Sequence, residues 1–181
     1  MMKTYEFTII ASGLDTEADD FEDHFYGAKC DDATVAVIKG KIVLEFAREA
    51  RNFAHALASA IIDVRRAGAK IERIEPDYLV SLSDIAQRSD LSRSAISHYA
   101  AGNRDKDFPA PIARITTDTP LWDWVLVAKW MFQRRKLSLE TLVAAKLVRE
   151  ANTALSAPDH FLDTPFAQKV HAIIARDEVA A

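Results

Sequence analysis

The sequence predicts an α+β protein built from two domains, and three observations support this. Strand-like and helix-like segments follow the order β-α-β-β-α-β as far as Pro76. Beyond Asp77 short helical segments dominate, and serine, arginine and proline interrupt them. Charge is also unevenly divided. Residues 1–77 hold ten Lys and Arg against fifteen Asp and Glu, a net charge of −5, whereas the remainder holds thirteen against twelve, a net charge of +1.

Composition and length are those of an ordinary globular protein. The 181 residues are 49% hydrophobic and 28% charged, which is enough apolar material for a core. No apolar run approaches the roughly 20 residues needed to cross a bilayer, and the first residues lack the pattern of a signal peptide. We therefore expect a cytoplasmic protein without a membrane partner. The single cysteine, Cys30, excludes an internal disulfide and a thiolate-rich zinc site, so we expect neither metal nor cofactor.

The first half of the N-terminal domain is predicted to be a strand followed by a short helix. Residues 5–10 carry β-branched and aromatic side chains with partial alternation, and Ser12-Gly13 is a turn signal. A helix is then expected to open at Asp15-Thr16, because acidic residues occupy its first turn. Its apolar residues recur at helical spacing: Ala18, Phe21, Phe25 and Ala28.

The second half of this domain is predicted to be a hairpin, a helix and a strand. Residues 34–38 and 41–46 are β-rich, and Lys39-Gly40 between them suits a tight turn, since glycine readily adopts positive φ. A helix over 51–67 and a strand over 70–75 follow. The apolar stripe of that helix is Phe53, Leu57, Ile61 and Val64, and Gly68 ends it. The element order resembles the ferredoxin-like fold, an antiparallel sheet with both helices on one face. We interpret residues 1–77 as such a domain, used for interaction or dimerisation.

A helix-turn-helix is predicted between Leu82 and Ala101. The first helix has an apolar face made by Leu82, Ile85 and Ala86, and we expect Ser83 to cap its start. Ala86 is small, as the residue at a close crossing of two helices must be. Ser89-Asp90-Leu91 forms the turn, and Asp90 stands where many such motifs have glycine.

The second helix is expected to face DNA. Ser92 is its predicted N-cap and Gly102 its stop, and Ile96 and Tyr99 point inward with Leu91. The predicted contact residues on its outer side are Ser92, Arg93, Ser94, Ser97 and His98. Arginine is the commonest bidentate partner of guanine, serine bonds several bases, and a capped helix N-terminus can hold a phosphate.

Residues 79–133 resemble bacterial helix-turn-helix transcriptional regulators of the MerR-like and AlpA-like winged type. In those regulators a stretch similar to Asp107-Phe-Pro-Ala-Pro-Ile112 follows the recognition helix and leads into a wing. The resemblance implies phosphate contacts by Arg104, Lys106 and Arg114, and a return from the wing at Leu121-Trp122-Asp123. Thr116-Thr-Asp-Thr-Pro120 departs from the usual wing turn.

The C-terminal part is predicted to be helical. Helices are expected over 122–133 and 137–155, the second capped by Ser138, within a winged helix-turn-helix domain of residues 78–155. Trp122, Trp124 and Trp130 are assigned to packing. A basic strip opposes only Glu140 between residues 129 and 149: Lys129, Arg134, Arg135, Lys136, Lys146 and Arg149. The tail, residues 156–181, offers one more packing helix, whose apolar residues would be Phe166, Val170, Ile173 and Ile174.

Catalysis has little support in the sequence, and we expect no enzyme. Cys30, His24, Asp31 and Asp32 could in principle form a nucleophilic set. The adjacent carboxylates would, however, raise the pKa of the thiol rather than lower it. His24 and His55 lack the spacing of paired metal ligands.

The sequence therefore predicts a sequence-specific transcriptional regulator that binds double-stranded DNA, and we expect it to act as a dimeric repressor. A single helix-turn-helix makes few specific contacts, and a homodimer doubles them by reading two half-sites. Two alternatives stay open. One is an antitoxin-type repressor of its own operon that also binds a toxin partner, and the other is an interaction module that does not bind DNA. The first domain could also sense a small effector.

Overall fold

The structure is a computed structural model that describes residues 2–156, 164–170 and 172. The chain divides into two compact units. The first consists of Met1–Pro76 together with Glu150–Ala181, and the second is Asp77–Arg149. The predicted α+β class is confirmed, since one four-stranded antiparallel sheet is combined with helices.

The first unit contains the sheet and two helices. Its elements are β1 (Lys3–Ser12), α1 (Phe21–Gly27), β2 (Ala33–Ile38), β3 (Lys41–Ala50), α2 (Phe53–Arg66) and β4 (Lys70–Glu75). The strand order across the sheet is β2-β3-β1-β4, and every neighbouring pair is antiparallel. Later in the chain, residues 165–170 of this unit are helical, and Phe166 and Val170 are buried. Ile173 and Ile174, predicted to extend that helix, lie outside the described residues.

The core of the first unit lies on one face of the sheet. Phe7, Ile9 and Ala11 alternate along β1 and are buried, because successive side chains of a strand point to opposite faces. Their partners on β3 are buried too: Phe46, Leu44 and Ile42. The predicted stripe of α2 is confirmed, with all four of its residues buried, and α2 packs on β3 and β4.

The β2–β3 hairpin turns through two residues with positive φ, Lys39 at 52° and Gly40 at 74°. Positive φ at both central positions defines a type I′ turn, whose twist matches that of the flanking strands. The hairpin is therefore confirmed, and β3 extends four residues beyond the predicted end, to Ala50.

Four helix starts predicted from the sequence are wrong. α2 begins at Phe53 rather than Arg51, and the helix expected from Leu137 begins at Leu139. The first helix begins at Phe21 rather than near Asp15, because the Asp15 carboxylate accepts the Glu17 N–H at 3.1 Å and so competes with a helical turn. The helix expected from Trp122 begins at Trp124, because Trp122 and Asp123 form a short strand.

The second unit is mostly helical. Its elements are β5 (Leu79–Val80), α3 (Leu82–Ser89), α4 (Arg93–Ala100), β6 (Trp122–Asp123), α5 (Trp124–Gln133) and the start of α6 (Leu139–Leu155). β5 and β6 pair antiparallel. The expected cap of α6 is confirmed, since Ser138 Oγ accepts the Thr141 N–H at 3.1 Å. No helix among the described residues is long and apolar enough to cross a bilayer.

Candidate nucleic-acid interface

The start of α3 is fixed by a capping box. Ser81 Oγ accepts the Asp84 N–H at 3.2 Å, and the Asp84 carboxylate accepts the Ser81 N–H at 2.7 Å. Hydrogen bonds from Ser81, opposed by partial burial, lower the pKa of Asp84. The sequence placed this cap at Ser83, which is wrong, since Ser83 already lies within the first turn of α3 and is exposed.

The turn between α3 and α4 is formed by Asp90 in the left-handed conformation, with φ 54° and ψ 36°. The Asp90 N–H donates to Gln87 O, and the Leu91 N–H donates to Ala86 O at 3.0 Å. These bonds satisfy carbonyls at the end of α3 that would otherwise lack partners. The predicted turn at Asp90 is thus confirmed.

α4 packs on α3 through a shared apolar cluster. Ser92 caps α4 as predicted, because its Oγ accepts the Ala95 N–H at 3.1 Å. Ile85 and Ile96 are completely buried, and Tyr99 and Ala86 are nearly so. All four belong to one core together with residues of α5 and α6. The inward face expected from the sequence is confirmed, which directs the remaining side chains of α4 to solvent.

The exposed side of α4 brings together the five contact residues predicted on this helix. Ser92, Arg93, Ser94 and His98 are exposed, and Ser97 is partly so. The Arg93 guanidinium bridges the two helices: its Nε donates to Ser83 Oγ at 3.2 Å and its Nη1 donates to Ser97 Oγ. These two bonds position the Arg93 guanidinium and use two of its five N–H donors, which leaves three donors for another partner.

Arg104 and Lys106 lie on the exposed loop that follows α4. Gly102, at φ 71°, ends the helix as predicted. The Arg104 guanidinium lies 5.5 Å from the Tyr99 ring centroid. The backbone of Lys106 is held firmly, because its carbonyl accepts N–H groups of Trp130 at 3.1 Å and Arg134 at 2.9 Å.

The Phe-Pro stretch has a structural role that the sequence did not show. The Phe108 ring stacks on Tyr99 at 6.3 Å and meets Trp130 edge to face at 5.0 Å between centroids. This aromatic cluster anchors the loop after α4 to α5. All three tryptophans are buried, as their assignment to packing predicted: Trp122, Trp124 and Trp130.

Arg114 lies farther along the chain, at the base of a narrow hairpin. Ala113 and Leu121 form an isolated antiparallel bridge, in which Leu121 N–H donates to Ala113 O at 2.9 Å. Arg114 itself is exposed, has a φ of 51°, and accepts the Thr117 N–H through its carbonyl at 3.0 Å. The structure therefore places this predicted phosphate contact on the hairpin rather than on the loop with Lys106.

The basic strip predicted on the last helices is partly neutralised. Arg134 pairs with Asp105 at 3.1 Å and lies 4.1 Å from the Trp130 ring centroid, and Arg149 pairs with Asp123 at 2.7 Å. Counting charges along residues 129–149 missed both acids, because they come from earlier segments. The other four cations of the strip are exposed: Lys129, Arg135, Lys136 and Lys146.

Two of the residues considered for catalysis, Cys30 and Asp32, are held in place by burial and by an ion pair. Cys30 is buried, and its pKa is raised to about 11, first by burial and then by the charge of Asp63. The Asp32 carboxylate is paired with Arg48 at 2.7 Å. No group of three or more potential metal ligands occurs in the part of the chain that the structure describes.

Comparison with known proteins gives no relative: no family model, curated protein or solved structure matches the chain.

Proposed function

We propose that this chain is a sequence-specific regulator that binds double-stranded DNA through α4 and acts as a homodimeric repressor. The observation that carries the proposal is the exposed side of α4, where a positioned Arg93 stands among Ser92, Ser94, Ser97 and His98. An exposed helix rich in hydrogen-bonding side chains, supported by a second helix across a left-handed turn, suits the major groove.

The finer fold assignment belongs to the same proposal. The strand order β2-β3-β1-β4 with helices in both crossovers supports a ferredoxin-like first unit. The bridge between Ala113 and Leu121, next to the paired β5 and β6, supports a wing beside the helix-turn-helix. In a winged unit, Arg104, Lys106 and Arg114 would contact phosphates on either side of the groove-bound helix.

Arg93 and Lys106 distinguish base reading from phosphate attraction. DNA fragments bound by the full chain would first be selected from genomic DNA and the preferred site identified. Arg93→Ala should then weaken binding to that site by about 1 to 3 kcal/mol and relax the preference at one base pair. Lys106→Gln should weaken all sequences alike and reduce the salt slope of log K by about one.

Lys70→Gln provides the matched control, because Lys70 is an exposed cation of the first unit. It should leave both the affinity and the salt slope unchanged. The proposal would be rejected if the wild type selected no fragment, or if Arg93→Ala and Lys106→Gln bound the selected site as tightly as the wild type does. The first result would favour an interaction module without DNA binding.

A further inference from the structure

The two edges of the four-stranded sheet are protected very differently. An edge strand presents unpaired N–H and C=O groups, which template pairing with another strand unless something covers them. β4 and β2 are the two edges, since they stand at the ends of the strand order.

The β4 edge is closed by a side chain. Asn152, only 5% exposed, accepts the Ile74 N–H through Oδ1 at 2.7 Å and donates from Nδ2 to Ile74 O at 2.8 Å. The amide of Asn152 thus forms with Ile74 the two hydrogen bonds that a residue of a neighbouring strand would form, and it occupies the edge of β4 at that position.

The β2 edge is covered only at its start, where the Ala33 N–H donates to Cys30 O at 3.0 Å, and no hydrogen bond to the backbone groups of Val35 or Val37 on that edge is found among the described residues. Ile38 and Lys41 flank the two-residue turn and form a hydrogen-bonded pair, so alternate residues of β2 direct their backbone groups towards β3. The backbone groups of Val35 and Val37 consequently point away from the sheet. β2 contains neither proline nor a charged residue, the features that usually discourage edge pairing, and Val37 and Ile38 are about half exposed, at 46% and 51%.

We infer that β2 pairs antiparallel with β2 of a second copy of this chain, joining the two four-stranded sheets into one continuous sheet. With Val35 on the twofold axis, Val37 lies opposite the partner's Ala33. Asp31 and Lys39 lie in the turns just before and just after β2, so each comes near the oppositely charged residue at the end of the partner's β2. Asp31 and Lys39 are both exposed and stand at opposite ends of β2, so antiparallel pairing brings unlike charges together twice. This charge complementarity favours a second copy over an unrelated strand.

The inference specifies the homodimer of the proposed function, but its test does not depend on DNA. Sedimentation equilibrium of the full chain should show a monomer–dimer equilibrium. Val37→Pro should abolish the dimer and preserve the far-ultraviolet circular dichroism, because the lost N–H faces outward and proline is tolerated at such edge positions. Leu139→Ser, which changes an exposed apolar residue of α6, should leave the dimer intact.

Charge exchange tests the orientation of the strands. Asp31→Lys and Lys39→Asp should each weaken the dimer about tenfold, because each places like charges near one another at two symmetric positions. The double variant D31K/K39D should restore the wild-type dissociation constant to within about threefold. Two results would overturn the inference: a wild type that remains monomeric at roughly 100 μM, or a dimer that survives Val37→Pro. A monomer that still selected specific DNA would leave the DNA-binding proposal standing.

Discussion

All five N–H donors of the Arg48 guanidinium, in the first unit, have hydrogen-bond partners. Its Nε and Nη2 donate to the two carboxylate oxygens of Asp32, at 2.7 and 2.8 Å, and its Nη1 donates to Asp63 at 2.7 Å. Ser59 Oγ and Lys29 O accept the remaining N–H groups. Burial alone would lower the pKa of Arg48, but the hydrogen bonds to the two carboxylates raise it above its ordinary value. The guanidinium therefore stays charged inside the fold.

Replacing Arg48 by methionine should lower the free energy of unfolding by about 3 to 5 kcal/mol, because it leaves the carboxylates of Asp32 and Asp63 without their buried partner. Urea titration followed by far-ultraviolet circular dichroism would measure the loss, because the strands of the first unit contribute to that signal and no tryptophan lies among residues 1–76. Arg66→Met is the matched control, since Arg66 also pairs with Asp63 but its side chain is 54% exposed, and its loss should cost less than about 1 kcal/mol. Equal effects of the two substitutions would contradict the assigned role of Arg48.

Cys30 should be inert in the folded protein. Iodoacetamide reacts with the thiolate, and burial raises the pKa of Cys30 to about 11. At pH 8.5 alkylation should be slow in buffer and fast in 6 M guanidinium, as mass spectrometry would show. The raised pKa favours the protonated thiol in the fold, so this contribution to stability is complete below about pH 9 and is lost as pH rises towards 11. Rapid alkylation of the native chain at pH 8.5 would contradict the predicted inertness of Cys30.

The sequence predicted the effect of neighbouring charges on Cys30 but not the hydrogen bonds of Arg48. It predicted the direction of the Cys30 pKa from the neighbouring Asp31 and Asp32, whereas the structure identifies burial as the largest cause. It gave no role to Arg48, because Arg48 meets Asp32 and Asp63 across 16 and 15 residues of chain. Local spacing shows which groups are near in sequence and not which segments fold together.

Among the secondary-structure elements, the two helices of the motif were predicted closely because their signals are local. Apolar spacing defined the buried faces, and Ser92, Asp90 and Gly102 marked ends that the structure confirms. The Ser81 cap was displaced by two residues, since serines occur at both positions 81 and 83 and either can bond a helix N-terminus. The structure distinguishes them, because Ser81 has an extended backbone and its Oγ accepts the Asp84 N–H, whereas Ser83 lies within the first turn of α3.

The two serines give a direct test of the capping box. Ser81→Ala should lower the free energy of unfolding by about 1 kcal/mol, because the N–H of Asp84 loses its acceptor. Ser83→Ala should change it by less than about 0.5 kcal/mol, since Ser83 is exposed and accepts only from Arg93 among the bonds described here. Thermal unfolding of both variants would measure the difference, and a larger loss for Ser83→Ala would restore the cap expected from the sequence.

The left-handed conformation of Asp90 predicts that two substitutions at this position differ in their effect on stability. A β-branched residue is strained at φ 54°, so Asp90→Val should destabilise the protein by about 1 to 2 kcal/mol. Asp90→Gly should be close to neutral, because glycine adopts this conformation without strain. Chemical denaturation of the two variants provides the measurement. A stable Asp90→Val variant would show that the turn can close by another backbone path.

At the scale of the whole molecule, the first unit is discontinuous in sequence. Its sheet is complete by Glu75, yet residues after 149 return to it, and Asn152 bonds Ile74 across 78 residues. The change in composition at Pro76 indicated where the chain leaves the first unit. Nothing in the pattern of α6 indicated the return, because one helix runs through Arg149 and Glu150 without a break. An amphipathic sequence reports which face is buried but not which unit buries it.

Asn152 should consequently control the stability of β4. Asn152→Leu leaves both the N–H and the C=O of Ile74 without their partners in a buried site, which should lower the free energy of unfolding by about 2 to 4 kcal/mol. Hydrogen exchange at the Ile74 amide, followed by nuclear magnetic resonance, should accelerate in step with this loss. Lys146→Leu, on the exposed side of the same helix, should have no effect on that amide.

For the same reason a fragment of residues 1–77 should be less stable than the first unit of the full chain, since it lacks Asn152. A fragment that protected the Ile74 amide as well as the full chain does would show that β4 needs no partner from α6.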